Sequence, residues 1–204
     1  MATIDESVPI ASLAAPGLAG LTAAARQGAP RGPAPVHLWN PPFCGDIDMR
    51  IAADGTWFYQ NSPIGRLPLV QLFASIIRRD PDRYVLVTPV ERVGIVVDDA
   101  PFTGVEMKVE GQGASRVISF RTNVEDWVSA GKDHALRFAP GASGGLKPYL
   151  HVRGKLEALV KRALFYDLVD LGETRDLDGT AMFGVMSGGE FFPMARADAL
   201  EGLQ

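Results

Sequence analysis

Apolar and polar side chains alternate through Ile47, Met49 and Ile51; the turn sequence Ala-Ala-Asp-Gly follows, and Trp57 to Gln60 return. That period of two, with Gly55 able to take a positive φ, predicts a β-hairpin. Leu69, Leu72, Phe73, Ile76 and Ile77 then recur at three- and four-residue spacing. They predict a helix over 67–79, ending at Arg-Arg-Asp-Pro-Asp with its basic residues near the negative end of the helix dipole. Tyr84–Pro89 and Arg92–Asp99 read as two buried strands. The first folded unit is therefore expected to run β-β-α-β-β.

Farther along, strands are expected at Phe102–Val109, Arg116–Thr122 and His134–Phe138, joined by the glycine-rich Glu110–Ser115 and the polar Asn123–Asp126. Lys147–Gly154 predicts another strand. Leu156, Leu159, Val160, Ala163, Leu164, Leu168 and Leu171 fit one face of a helix over 155–171 closed by Gly172. Met182–Met194 reads as a hairpin turning at Gly188 and Gly189. Before all of this, residues 1–35 are rich in Ala, Gly and Pro; Ile10, Leu13, Leu18 and Leu21 line one face of a short helix that Pro16 and Gly17 interrupt. Prolines hold the following segment extended.

The two halves match each other. Tyr84–Val96 and Met182–Met194 each read as an apolar strand, a Thr or Ser, two turn residues, a Glu and a second apolar strand. Glu190 lies 99 positions after Glu91, as Ser187 does after Thr88. Each hairpin follows a strand and a helix, so the expected architecture is α+β, built from duplicated strand-strand-helix-strand-strand motifs. Three segments result: an arm over 1–35, an N-terminal α+β domain over 36–100 and a β-rich C-terminal domain with a helix over 101–204.

Composition narrows the function. The 204 residues are 47% hydrophobic and 22% charged, with a net charge of −4 and a pI near 5.4. This is ordinary for a globular protein and unsuited to one whose main task is neutralising phosphates, so nucleic acid is not the expected partner. No apolar run approaches the roughly 20 residues of a membrane span. Asp5 and Glu6 stand where a secretory signal would be basic, and Arg26 is the first basic residue, which predicts a cytoplasmic protein. Cys44 is the lone cysteine and His37, His134 and His151 are scattered, so no disulfide, metal or cofactor is expected.

Pro41–Arg66, Tyr84–Phe102, Pro148–Leu159 and Met182–Met194, occurring in that order, together resemble the bacterial DUF1285 family. The resemblance implies a fold of duplicated α+β motifs, a C-terminal part like a pleckstrin-homology β-barrel, a ligand or partner site between the domains and a link to signalling. It implies no activity. The chain departs from the family in its longer Ala/Pro-rich arm.

Arg66, between a proline-fixed turn and the first helix, would gather positive charge with backbone N–H donors, a place for a carboxylate or phosphate. Its structural alternative is an ion pair with Glu91. Arg153 is its counterpart in the other half, and the two would flank one shared cleft. Tyr59 and His151, at strand ends leading into the helices, join that set from an aromatic group that also holds Trp39, Trp57, Phe102, Tyr149, Phe191 and Phe192. Glu91, Glu190 and Ser187 complete it from the hairpin turns.

Paired carboxylates also serve glycoside hydrolysis, and Cys44 beside His151 or His37 would make a nucleophile and base; these define a hydrolase alternative. Ser187 lacks the Gly-x-Ser-x-Gly spacing of a nucleophile elbow and reads as a turn residue. Asp98 and Asp99 read as turn-initiating residues bonding local backbone. Arg78, Arg79, Arg83 and Arg92 define a nucleic-acid alternative. The expectation is a noncatalytic binding or regulatory protein taking a small anionic ligand or a peptide, or docking a protein.

Overall fold

The structure is a computed structural model that describes residues 34–141 and 145–201, together with Ala23. The short helix expected over Ile10–Leu21 lies outside these residues. The described residues form two compact units: one holds those up to Arg50 and Trp57–Val96, the other Ile51–Thr56 and those from Val97 onward. The turn after Arg50 groups with the second unit. The architecture is α+β and mostly β, and the matched hairpins of the two halves are both present.

In the first unit β1 (Phe43–Ile51), β2 (Trp57–Tyr59), β3 (Ser62–Pro63), α1 (Leu67–Ser75), β4 (Ile77–Arg79), β5 (Tyr84–Val87) and β6 (Arg92–Val97) follow in order. The strands form one sheet in the order β3-β2-β1-β6-β5-β4. Met49 and Ile51 are buried with Trp57 and Phe73, whose rings stack at 6.2 Å, as the alternation predicts.

The helix is shorter than its periodicity suggests. It stops at Ser75, whose hydroxyl donates to the Leu72 carbonyl at 2.7 Å, and Ile77–Arg79 pair as β4 with Leu86, Val85 and Tyr84. A spacing of apolar residues cannot separate a helix from a helix followed by a strand when Ile76 and Ile77 are buried in both. The ion chemistry decides it. Asp80 accepts from Arg78 Nε at 2.7 Å and from Arg92 Nη1 at 2.9 Å, while Arg78 Nη1 donates to the carbonyls of Val36 and Trp39 at 2.8 and 2.6 Å. Arg78 therefore ties the chain leading into β1 to the sheet edge, in place of the expected interaction with a helix dipole.

The second unit contains β7 (Phe102–Glu110), β8 (Val117–Thr122), β9 (Trp127–Ser129), β10 (Leu136–Pro140), β11 (Leu146–Arg153), β12 (Leu156–Val160), α2 (Arg162–Asp170), β13 (Glu173–Leu177), β14 (Thr180–Ser187), β15 (Glu190–Arg196) and α3 (Ala197–Glu201). A six-stranded sheet runs β10-β11-β12-β7-β8-β9 and a three-stranded one β13-β14-β15. The helix expected over 155–171 is half strand. Gly154, at φ +55°, turns the chain so that β12 pairs antiparallel with β11, and Leu156, Ala158 and Val160 alternate into the core. β12 also pairs with β7, and this pairing is parallel.

Asp80 is 15% exposed and held between two guanidinium groups. Burial acts to raise its pKa, but the hydrogen bonds and charges of Arg78 and Arg92 prevail and hold it below the ordinary aspartate value. A depressed carboxylate pKa adds stability that is present above the unfolded value of about 3.9 and lost as pH falls through the folded one. Asp80→Asn should cost about 1–3 kcal/mol in urea unfolding at pH 7, and the gap from the wild type should narrow on acidification below about pH 4. Equal stability at pH 7 would remove Asp80 as the tie.

Candidate functional site

The switch from β12 to α2 takes one residue. Lys161, with φ −60° and ψ 146°, is still extended, and its N–H continues the ladder to the Gly104 carbonyl at 3.1 Å. Its own carbonyl already accepts from Phe165 N–H at 3.1 Å, as the first turn of α2 requires. The Lys161 side chain does not cap that turn, and no acidic residue sits in it. The first N–H groups of a helix have no partner within it and carry partial positive charge, so this start favours an anion.

Parallel register places Leu159 opposite Thr103 and Val160 opposite Gly104. On the other side of β12, Leu159 faces Tyr149 of β11, which in turn faces Arg137 of β10. One sheet face thus carries a polar chain. Arg137 makes two bonds of 2.6 Å to Glu157 and lies 4.1 Å from the centre of the Tyr149 ring. The Tyr149 hydroxyl donates to Asp99 Oδ1, and Lys147 Nζ donates to Asp99 Oδ2, each at 2.7 Å. Burial, with the bond to Asp99, pushes the Tyr149 phenol up to about 12. Asp99 is therefore not the local turn residue its neighbourhood suggests; its partners lie about fifty positions away and hold β11 in place.

Beside this face lies a cleft of about 690 Å³ within the second unit. It is lined by Thr103, Leu159 and Val160, by Gly141, Gly145, Leu146, Lys147 and Pro148, by Lys161, Arg162, Phe165 and Tyr166 of the helix start, and by Ala53 and Asp54. Thr103, Pro148 and Val160 are buried and form its floor, whereas Lys161, Arg162 and Tyr166 are exposed at its mouth. The Ala53–Asp54 turn is held by Asn123, which donates to the Gly55 carbonyl at 3.1 Å and accepts from Thr103 N–H at 3.0 Å. Arg162 Nε donates to the Tyr166 hydroxyl at 2.9 Å, and among the described residues neither Lys161 nor Arg162 enters an ion pair. The arrangement can receive a negative group at the helix start and an apolar body behind it. Among the described residues, no group of three or more His, Cys, Asp or Glu is placed to hold a metal, and no helix is long and apolar enough to cross a membrane.

The sequence-predicted residues lie elsewhere. Arg66 is the exposed N-cap position of α1, and among the described residues its pair with Glu91 is not formed. Tyr59 closes β2 opposite Ser62. Glu91 follows a turn that Thr88 closes on itself, with Thr88 Oγ1 accepting from Glu91 N–H at 3.2 Å, and burial raises the Glu91 pKa. Arg153 lies 5.1 Å from the Phe102 ring centre, its pKa lowered by burial against the pull of Asp126. His151 has each ring nitrogen against a carbonyl, Asp133 at 2.9 Å and Gly154 at 2.8 Å. Glu190 is exposed at its hairpin turn. Ser187 is fully buried; its hydroxyl accepts from Ile118 N–H at 2.8 Å and donates to the Ala130 carbonyl at 2.7 Å.

Residues 34–100 match the family model "Domain of unknown function (DUF1285), N-terminal domain", and residues 101–194 match "Protein of unknown function (DUF1285), C-terminal domain". The chain belongs to the DUF1285 family. A crystal structure of a DUF1285 family protein from Silicibacter pomeroyi DSS-3 is similar at 55% identity and a TM-score of 0.81, covering 89% of this chain and 98% of that one. Another, from Shewanella baltica OS155, is 27% identical with a TM-score of 0.49, covering 61% and 91%. No curated protein matches the chain.

For this DUF1285 chain the residues missed from sequence are Thr103, Lys161, Arg162 and Tyr166. The signal was there: Leu156, Ala158 and Val160 alternate directly after Gly154, and Lys161-Arg162 follows at the point where the period changes. Ser187 ties the β14 end to β8 and to Ala130, just after β9. Ser187→Ala strands a buried N–H and should cost about 1–3 kcal/mol in denaturant unfolding. Unchanged stability would mean the hydroxyl is not a structural tie.

Proposed function

We propose that this DUF1285 protein is a noncatalytic binding or regulatory module of the cytoplasm whose ligand, an anion, sits in the cleft at the start of α2. The observation that carries this reading is the pair Lys161 and Arg162, free of ion pairs among the described residues and set at an uncapped helix start over an apolar floor. Convergent polar groups on an apolar cavity are the usual form of a small-molecule site. The signalling link and the pleckstrin-homology-like character of the C-terminal unit rest on the family resemblance, with two sheets and a helix as the local support.

The rival chemistries have less support. The Cys44 thiol is exposed, with the Pro42 carbonyl at 3.6 Å, and the Ser187 hydroxyl is already used on both sides. Among the arginines of the nucleic-acid alternative, Arg78 and Arg92 share Asp80, Arg83 pairs with Asp46 and Asp82, and Arg79 lies 4.3 Å from the Tyr84 ring centre.

Thermal unfolding against nucleotides, phosphorylated metabolites, carboxylates and acidic peptides tests the reading. A ligand at about 100 times its Kd should stabilise the fold by about 2.7 kcal/mol. The expected result is a saturable shift lost in Lys161→Met and kept in Arg66→Ala. A shift lost in Arg66→Ala and kept in Lys161→Met would return the site to the residues expected from sequence.

A further inference from the structure

The charges around the cleft are few enough to count. Lys147 is neutralised by Asp99, at 2.7 Å, which leaves Lys161 and Arg162 as the cations available at the mouth. Asp54 stands against them: its Oδ1 accepts from Thr56 N–H at 2.9 Å, and that bond holds the carboxyl below its ordinary pKa, so it is ionised at neutral pH. Two cations against one carboxylate leave one positive charge in excess. A polyphosphate would meet Asp54 with most of its charge unmatched by Lys161 and Arg162.

Much of the remaining lining is apolar. Leu146, Pro148, Leu159, Val160 and Phe165 offer no side-chain hydrogen-bonding group, so a ligand body carrying several hydroxyls would lose its water without replacement. One polar atom interrupts this floor. Thr103 is 2% exposed and, among the described residues, its Oγ1 has no hydrogen-bond partner. Buried hydroxyls are nearly always paired. Because Lys161 N–H bonds Gly104, the preceding Thr103 lies beside the start of α2, where the head of an anion would rest.

From this juxtaposition we infer that the ligand is an amphiphile with a single anionic head: one carboxylate or phosphate-monoester group held by Lys161, Arg162, the first N–H groups of α2 and the Thr103 hydroxyl, and an apolar body against Leu159, Pro148 and Phe165. The inference rests on the binding reading above and names its ligand class. The cleft volume of about 690 Å³ falls in the usual range for small-molecule sites.

Isothermal titration of the full chain decides it, with phenylacetate and phenyl phosphate as amphiphiles, acetate, inorganic phosphate and benzyl alcohol as their separate halves, and ATP as the polyanion. The expected result is one site that takes the two amphiphiles at least tenfold more tightly than any half or ATP. Lys161→Met should weaken it tenfold or more. Thr103→Val should weaken it about fivefold while leaving the melting temperature unchanged or higher, because it removes a hydroxyl that has no partner among the described residues. Tighter binding of ATP or inorganic phosphate, still sensitive to Lys161→Met, would overturn the ligand class and keep the binding reading. An amphiphile affinity untouched by Thr103→Val would overturn the placement of the head beside Thr103. Binding of none of these probes in a Lys161-dependent way would overturn the class and the reading together.

Discussion

The parallel pairing of β12 with β7 is the constraint on which the second unit turns. Every other neighbour of these strands is antiparallel and can be reached through a hairpin or a short connection, whereas a parallel neighbour requires the chain to travel away and come back. Here it travels through β8, β9, β10 and β11 before β12 slots between β11 and β7. That insertion sets Leu159 against Thr103 and brings Lys161 N–H to the Gly104 carbonyl. The helix must then start at the sheet, and its cations and bare N–H groups gather over an apolar floor. Around this point the Asp99 bonds to Lys147 and Tyr149 fix β11, and the Asn123 bonds to Thr103 and Gly55 fix the turn that carries Asp54.

Duplication gives the two halves matched hairpins without giving them matched chemistry. Thr88 and Ser187 occupy equivalent positions, yet Thr88 closes its own turn while Ser187 reaches across to β8 and β9. Glu91 is half-buried with a raised pKa, and Glu190 is exposed. A shared backbone motif is satisfied by local hydrogen bonds; what each side chain then meets depends on the strands packed against it. Symmetric placement in sequence is therefore poor evidence for a symmetric site.

Ile47–Ile51 was legible because one buried face imposes a period of two, and Tyr84–Val87 and Arg92–Val97 because each is a short apolar run buried through its middle. The two helices were legible as apolar clusters and overextended at one end. In each case a short strand abuts the helix, and residues such as Ile77 or Leu156 are buried in either geometry. The short β9 and the exposed β13 carry too little apolar pattern to register. The candidate site was read at Arg66 and Arg153, one at a helix start and the other expected just before one; the cations of the cleft sit at the start of α2, which the overextended helix had concealed. Finding the Lys161–Arg162 helix start requires knowing where β12 ends.

The most direct test of this account is a backbone-amide NMR titration of the full chain with phenylacetate. The account predicts that the largest saturable shifts fall on the amides of Arg162, Ala163, Leu164 and Thr103, where the helix start and the buried hydroxyl meet. Shifts centred instead on Arg66 and its neighbours, with those four amides unmoved, would contradict it.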